Sequence, residues 1–478
     1  MSEQVSYRTA KGWHLALAAM SQVVPTALII LMTFATYVAT GVYGATSILA
    51  GTIITGTRIF DAITDPIMGF LADRINTKFG RVRPLLAIGW ALVTLSIILM
   101  FVVHPGEGNL IVFIGIYMLY VIGYTIFNTG DGMVASVISN NPAQRPMIGR
   151  WSAIFKSLFS GTFSMILAAT LMPKHDNKYG LPLFQDLTFV VIAITGVLTL
   201  LAIIALTASK NDVPETFAGT NNNPIKLSEM FHMLKSSREL QMFTLAAASD
   251  KLALQTATQS AINVMLFGIC IGNYRFSGQI SLYMTAVTIA MLFLTSGIAK
   301  KDGNKKSLVK WTWITMAIYA AMYVFLLTVD TLSITTVTGL TITFIVLRCL
   351  MNAAQMTVSS CTFPMLADVA DYQFSKTGHF APSVVSMVYM SVDKFIASLA
   401  ATIVGIAVST IGYVETMPQA TDPYSRSVLH VVCFLWLGMP LIGFACTQIA
   451  MRFYKLDKET MEQVQRKNAE IRASQGAK

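Results

Sequence analysis

Thr188 to Ser209 runs without a single charged side chain, and Leu110 to Phe127 does the same. Apolar runs of ~18 residues or more read as helices that cross a lipid bilayer. Only 12% of the chain is charged, half of the roughly 25% that coats an ordinary soluble protein. A soluble enzyme, a disordered chain and a nucleic-acid binder are therefore excluded. The net charge of +10 needs another explanation, and its distribution supplies one.

Hydropathy predicts twelve spans, at 13–39, 45–71, 84–103, 110–136, 151–172, 188–208, 241–268, 277–299, 311–329, 334–366, 384–410 and 428–451. With the N-terminus inside, the cytoplasmic segments hold 25 of the 34 Lys and Arg residues and the outer loops hold 4. That asymmetry places both termini in the cytoplasm. The first span is too long for a signal-peptide core, so an uncleaved first helix is expected. Lys210 to Glu239, the longest polar connection, divides the spans six and six. The organisation expected is an N-terminal six-helix half (1–208), a central loop (209–240), a C-terminal half (241–451) and a charged, helical tail (452–478). Lys300-Lys-Asp-Gly-Asn-Lys-Lys306 weakly echoes the loop after the second span at the equivalent place. Two six-helix halves around a central path is a transporter architecture.

Cysteines and histidines add no chemistry. Cys270, Cys349, Cys361, Cys433 and Cys446 lie in apolar stretches and read as buried thiols. The six histidines are scattered singly, without metal-ligand spacing. GxxxxGK[ST], GxSxG and HExxH are all absent. Energy must then come from an ion gradient, or transport is downhill. An integral-membrane enzyme would need a nucleophile paired with a base near one interface, and none stands out.

Charges inside the spans are costly, at least ~2.5–3.5 kcal/mol each near the bilayer centre. Asp61 and Asp65 are four residues apart and share a helix face. Such a pair holds a small cation such as Na+, or shares a proton because like charges resist joint ionisation. Alternatively, Arg58 simply neutralises Asp61 at i,i+3. Thr125, Asn128 and Asp131 form a polar stripe on the fourth span, fit either for substrate contact or for bonds between helices. Asp131 stands between Gly130 and Gly132, which leave room for a ligand or for close packing. Lys394 lies mid-span with Asp393 beside it, but sequence neighbours point about 100° apart. It is expected to look toward the carboxylates of the first half, or to be a structural pair. Asp250, Lys251 and Lys156 read as gate charges or snorkelling side chains. Arg348 lies deeper, with no partner to be named from sequence.

These residues bring a resemblance into view. Phe60-Asp-Ala-Ile-Thr-Asp-Pro-Ile-Met-Gly69, followed by Ala72-Asp-Arg-Ile-Asn-Thr-Lys-Phe-Gly-Arg-Val-Arg-Pro84, closely resembles the glycoside–pentoside–hexuronide:cation symporters. That family is the melibiose-permease-like branch of the major facilitator superfamily. Asn140-Asn-Pro-Ala-Gln-Arg145, Ala367-Asp-Val-Ala-Asp-Tyr372, Lys394 and Ile411-Gly-Tyr413 extend the match over nearly the whole chain. The resemblance implies an all-α, twelve-helix fold of the major facilitator type. It also implies cation binding and coupling by Asp61, Asp65, Thr125 and Lys394; Arg58, three residues before Asp61, is assigned to coupling beside Lys394.

Departures fall on the sugar side. Gln22 and Pro25 stand where the galactoside-gripping acid of helix one is expected, and Asn128 and Gly132 replace an aspartate and an aromatic of helix four. Ser152 takes the place of an arginine early in helix five, with Arg150 nearby in a different phase. Gln373-Phe374 follows Asp-Tyr in place of Gly-Glu, and the later Arg…Glu pair is missing. The implied cargo is a glycoside, short oligosaccharide or hexuronide. Its contacts are assigned to Asn128, Asp131, Arg150, Tyr124 and Tyr389; the two tyrosines serve either stacking or ordinary packing. A carboxylate on the cargo would meet Lys394, Lys156 or Arg150.

The reading is a multi-pass sugar:cation symporter of a bacterial-type cytoplasmic membrane, working by alternating access. The coupling ion is Na+ or H+, and no permanently bound cofactor is expected. Its partners are the sugar and membrane lipid but no nucleic acid, and it is expected to be a monomer. A proton-coupled exporter of the same fold is the alternative.

Overall fold

A computed structural model describes residues 9–57, 60, 64, 77–139, 144–213, 234–235, 237–294, 303–377 and 382–476. These residues are almost entirely helical, because inside hydrocarbon a helix satisfies every backbone donor and acceptor within its own segment. The helices are α1 (Gly12–Gly41), α2 (Ser47–Thr57) and α3 (Val82–Val103), then α4 (Leu110–Ile138), α5 (Arg145–Ile166) and α6 (Leu181–Ser209). After them come α7 (Arg238–Ala257), α8 (Tyr274–Leu294) and α9 (Asn304–Thr328). The last are α10 (Thr338–Thr377), α11 (Pro382–Ser409), α12 (Arg426–Phe453) and the tail helix α13 (Lys458–Gly476).

Among the described residues, ten helices are long and apolar enough to cross a membrane, and a bent pair makes an eleventh. The second expected span begins in α2, and most of the rest of it, with Arg58, Asp61 and Asp65, lies outside the described residues. The seventh span, expected as one helix over 241–268, instead turns by 52° between α7 and Ser260–Cys270. The break falls where side chains compete with the backbone. Thr258 Oγ1 and Gln259 Nε2 both donate to the Gln255 carbonyl, each at 3.2 Å. Gln259 itself is extended, at φ −63° and ψ 143°.

Other local features follow from particular residues. Pro25 has no N–H, so the Ser21 carbonyl loses its α-helical donor, and α1 tightens into a 3-10 turn at Met20–Gln22. The tenth helix runs past the expected end at 366 to Thr377. Its extra polar turns are held from outside. Asn304 Nδ2 donates to Asp368 at 2.8 Å, Gln465 Nε2 to Asp371 at 2.7 Å and Asn468 Nδ2 to the Asp371 carbonyl at 3.0 Å.

The chain forms two compact units. Unit 1 comprises Met1–Pro224, Tyr274–Thr285 and Val408–Thr421; unit 2 comprises Ile225–Asn273, Ala286–Ala407 and Asp422–Lys478. In unit 1, α3 and α4 approach backbone to backbone. A Cβ on Gly89 would come within 2.5 Å of the Phe127 nitrogen, one on Gly123 within 2.8 Å of the Val93 nitrogen, and one on Gly130 within 2.9 Å of Leu85 Cβ. Small residues at such a crossing replace the hydrophobic drive that lipid cannot supply. The buried Asp212 carboxylate closes the start of α3, accepting the N–H groups of Arg81 at 2.9 Å, Val82 at 3.3 Å and Arg83 at 3.1 Å. It also accepts Arg83 Nε at 3.2 Å, so donors left open at a helix start meet a negative charge. In unit 2, Gly443 of α12 lets that helix lie against the Ser249 carbonyl of α7.

Candidate functional site

Unit 1 gathers polar groups from three helices. The tight turn in α1 presents Ser21 and Gln22 side by side. Ser21 Oγ donates to Asp131 Oδ1 of α4 at 2.5 Å. Gln22 Oε1 accepts twice from α5, from Ser152 Oγ at 2.6 Å and from Lys156 Nζ at 3.3 Å. Ser152 and Lys156 are four residues apart and so share one face of α5. The charges of Lys156 and Asp131 also act on each other. One carboxylate, one ammonium, an amide and two hydroxyls thus converge, with neutral groups bonded to each charge.

The rest of the α4 stripe frames this cluster. Asn128 is half-buried, and Thr125 is buried with its carbonyl accepting from Thr129 Oγ1 at 2.7 Å. The two glycines flanking Asp131 do different things. Gly130 takes the close packing against Leu85, whereas a Cβ on Gly132 would meet nothing within 4 Å. Tyr124 lies buried in an aromatic column, stacked on Tyr120 with centroids 5.7 Å apart. Arg150 is exposed on α5, while Ser152, two residues on, turns inward to Gln22.

Unit 2 holds a second cluster. Thr447 Oγ1 of α12 donates to Asp250 Oδ1 of α7 at 2.8 Å. Tyr389 hydrogen-bonds Asp393 one turn along α11, and its ring packs on Phe243 with centroids 5.2 Å apart. Asp393 feels the charges of both Lys251 and Lys394, more strongly that of Lys251 on α7. Its Oδ1 is buried without a hydrogen-bond partner among the described residues. Lys394 is exposed on α11. Arg348, which had no partner in the sequence, lies over the Trp436 ring at 5.2 Å from its centroid, a cation–π contact that suits a guanidinium.

Asp131, Lys156, Asp250, Lys251, Tyr389 and Asp393 all enter these two clusters. Ser21 was missed entirely, while Gln22 and Ser152 stood out only as departures from the family pattern. The one available signal was Pro25, which marks a disturbed turn in α1. Among the described residues, no group of three or more His, Cys, Asp or Glu is placed to hold a metal ion.

Comparison with known proteins fixes the class to which such an arrangement belongs. Residues 16–458 match the family described as MFS/sugar transport protein. The chain belongs to that family, and it is a secondary active sugar transporter of the major facilitator type. It is 23% identical over 449 residues to the putative glycoside/cation symporter YagG of Escherichia coli (strain K12), covering 92% of this chain and 91% of the relative. The isoprimeverose transporter of Lactiplantibacillus pentosus is 24% identical over 438 residues, covering 89% and 85%. Among solved structures, the nucleoside transporter NupG shares the fold with a TM-score of 0.59 at 13% identity, over 94% of this chain and 100% of that one.

Proposed function

We propose that the chain moves a glycoside, short oligosaccharide or hexuronide together with Na+ or H+, and that the unit 1 cluster reads the sugar. The observation that carries this is the meeting of Ser21, Gln22, Asp131, Ser152 and Lys156 from three helices. Sugar hydroxyls both donate and accept, so they pair with carboxylate, amide and hydroxyl groups in the same way that these groups now pair with one another. Asn128 adds one more such group, and the space beside Gly132 leaves room for a ring. Lys156 supplies a countercharge for a uronic acid. Tyr124, Tyr389 and Arg150 remain candidate sugar contacts at the edge of this reading.

Cation binding falls to Asp61 and Asp65 with Thr125, and coupling to Lys394 and Arg58. The likeness to a putative glycoside/cation symporter over most of both chains supports this half of the proposal. Both termini are placed in the cytoplasm by the distribution of Lys and Arg. Asp65→Asn keeps the side-chain volume and removes the charge a cation needs. In right-side-out vesicles with an imposed inward cation gradient, wild-type protein accumulates glycoside, while the variant equilibrates it without accumulation. Undiminished uphill uptake by Asp65→Asn overturns the cation assignment. Unchanged equilibrium sugar affinity in Gln22→Ala overturns the sugar assignment.

A further inference from the structure

The start of α9 and the end of α12 meet in unit 2 around a cleft of ≈ 440 Å³. Four cations line it: Lys305, Lys306 and Lys310 from α9, and Arg452 from α12. Among the described residues, Asp457 is the single carboxylate in the lining. Lys306, Lys310 and Trp313 recur at four and three residues, on one face of α9. The cleft has a fixed floor, because Gln448 Nε2 of α12 donates to the Val309 carbonyl of α9 at 2.9 Å. Lys305 Nζ is tied to the Tyr454 carbonyl, leaving Lys306, Lys310 and Arg452 exposed around the opening.

Clustered like charges on a rigid wall attract an anion. The apolar part of the lining says which kind. Trp313 is 55% exposed and adjoins Val309 and Met451 in the same cleft. Tryptophan beside lysine at the end of a membrane helix marks the headgroup level. Basic pockets between transmembrane helices suit acidic lipid headgroups. We propose that this cleft binds the phosphodiester headgroup of an anionic phospholipid, its acyl chains leaving past Trp313. The cleft shares no residue with either polar cluster.

The test uses full-length protein in phosphatidylcholine nanodiscs with phosphatidylglycerol as a minor component, read by native mass spectrometry and by thermal unfolding. Wild-type protein should retain phosphatidylglycerol over phosphatidylcholine by about tenfold, and its unfolding midpoint should rise with phosphatidylglycerol content. In the triple variant Lys306→Gln, Lys310→Gln, Arg452→Gln, both effects should vanish, while high salt should weaken them in wild type. Wild-type enrichment in the triple variant overturns the proposal. So does an equal rise in the midpoint with inorganic phosphate, which would mark a small-anion site. If the triple variant does not fold, Lys310→Gln replaces it, with Lys310→Arg as the control. Enrichment should fall in the first and persist in the second, and equal enrichment in both overturns the proposal.

Discussion

The two polar clusters solve one problem in opposite ways. Each must keep ionised groups inside apolar helices, where an unsatisfied charge is expensive. In unit 1 neutral groups stand between the charges: Ser21 is bonded to Asp131, and Gln22 to Lys156. In unit 2 a neutral hydroxyl, that of Tyr389, also bonds the carboxylate, but two lysines act on it, Asp393 feeling both Lys251 and Lys394. Neutral partners can be exchanged for a polyhydroxylated ligand at little electrostatic cost, because hydroxyls and amides replace one another. Charge–charge partners cannot. They release one another only when another ion or water takes over, which suits a coupling element better than a recognition surface.

The largest effect should come from breaking the unit 1 arrangement at its carboxylate. Asp131→Ala removes the acceptor of Ser21 and the countercharge of Lys156. It should cost about 1–3 kcal/mol in stability and weaken sugar binding by about a hundredfold, the equivalent of roughly 2.8 kcal/mol. Thermal unfolding and equilibrium titration with the transported sugar measure the two. Near-native sugar affinity would show that the cluster is only structural.

Next in size is Gln22→Ala, which takes one acceptor from two donors. Binding should fall by about tenfold, or roughly 1.4 kcal/mol, as read in the same titration. A double-mutant cycle then compares the clusters directly. Lys251→Met with Asp393→Asn should show a coupling of about 1 kcal/mol in unfolding free energy. Lys156→Met with Asp131→Asn should show less, about 0.5 kcal/mol, because Ser21 and Gln22 each bond one of the two charges. Equal couplings would erase the contrast.

The smallest effect belongs to a carboxylate in water. Asp457 caps the tail helix, accepting Thr460 N–H at 2.9 Å and its hydroxyl at 2.7 Å. Those bonds hold its carboxyl below the ordinary aspartate value. A depressed folded-state value means stability that is fully present above the unfolded value, about 3.9. It is lost as pH falls through the lower, folded value. The tail helix should fray below about pH 4, as followed by hydrogen exchange in residues 458–476. Asp457→Ala should flatten that acid response and cost about 1 kcal/mol of local helix stability, an ordinary cap loss.

Much of the fold was legible because lipid imposes a length and an apolar pattern that residues such as Thr188 to Ser209 cannot hide. The spans over 84–103 and 110–136 correspond closely to α3 and α4. The bend after Ala257 was not legible, since Gln255, Thr258 and Gln259 look like ordinary helix residues until their side chains take the backbone carbonyl. Half of the site was legible for the same reason that it is costly: Asp131, Lys156 and Asp393 are charges in apolar runs. Their companions were not, because Ser21 and Asp131 are 110 positions apart and Ser152 and Gln22 are 130 apart. No local periodicity connects residues so distant, and a serine or glutamine in a span carries little warning by itself.

The glycine-lined crossing of α3 and α4 reaches into the birth of the protein. Gly89, Gly123 and Gly130 meet partners only a few dozen residues away, across the short connection from His104 to Asn109. Contacts this local close early, and chains assemble from the N-terminal side as they are synthesised. The hairpin can therefore be zipped before the second unit has left the ribosome. Damage there should show first as lowered abundance, because destabilised chains are continuously removed by the cell.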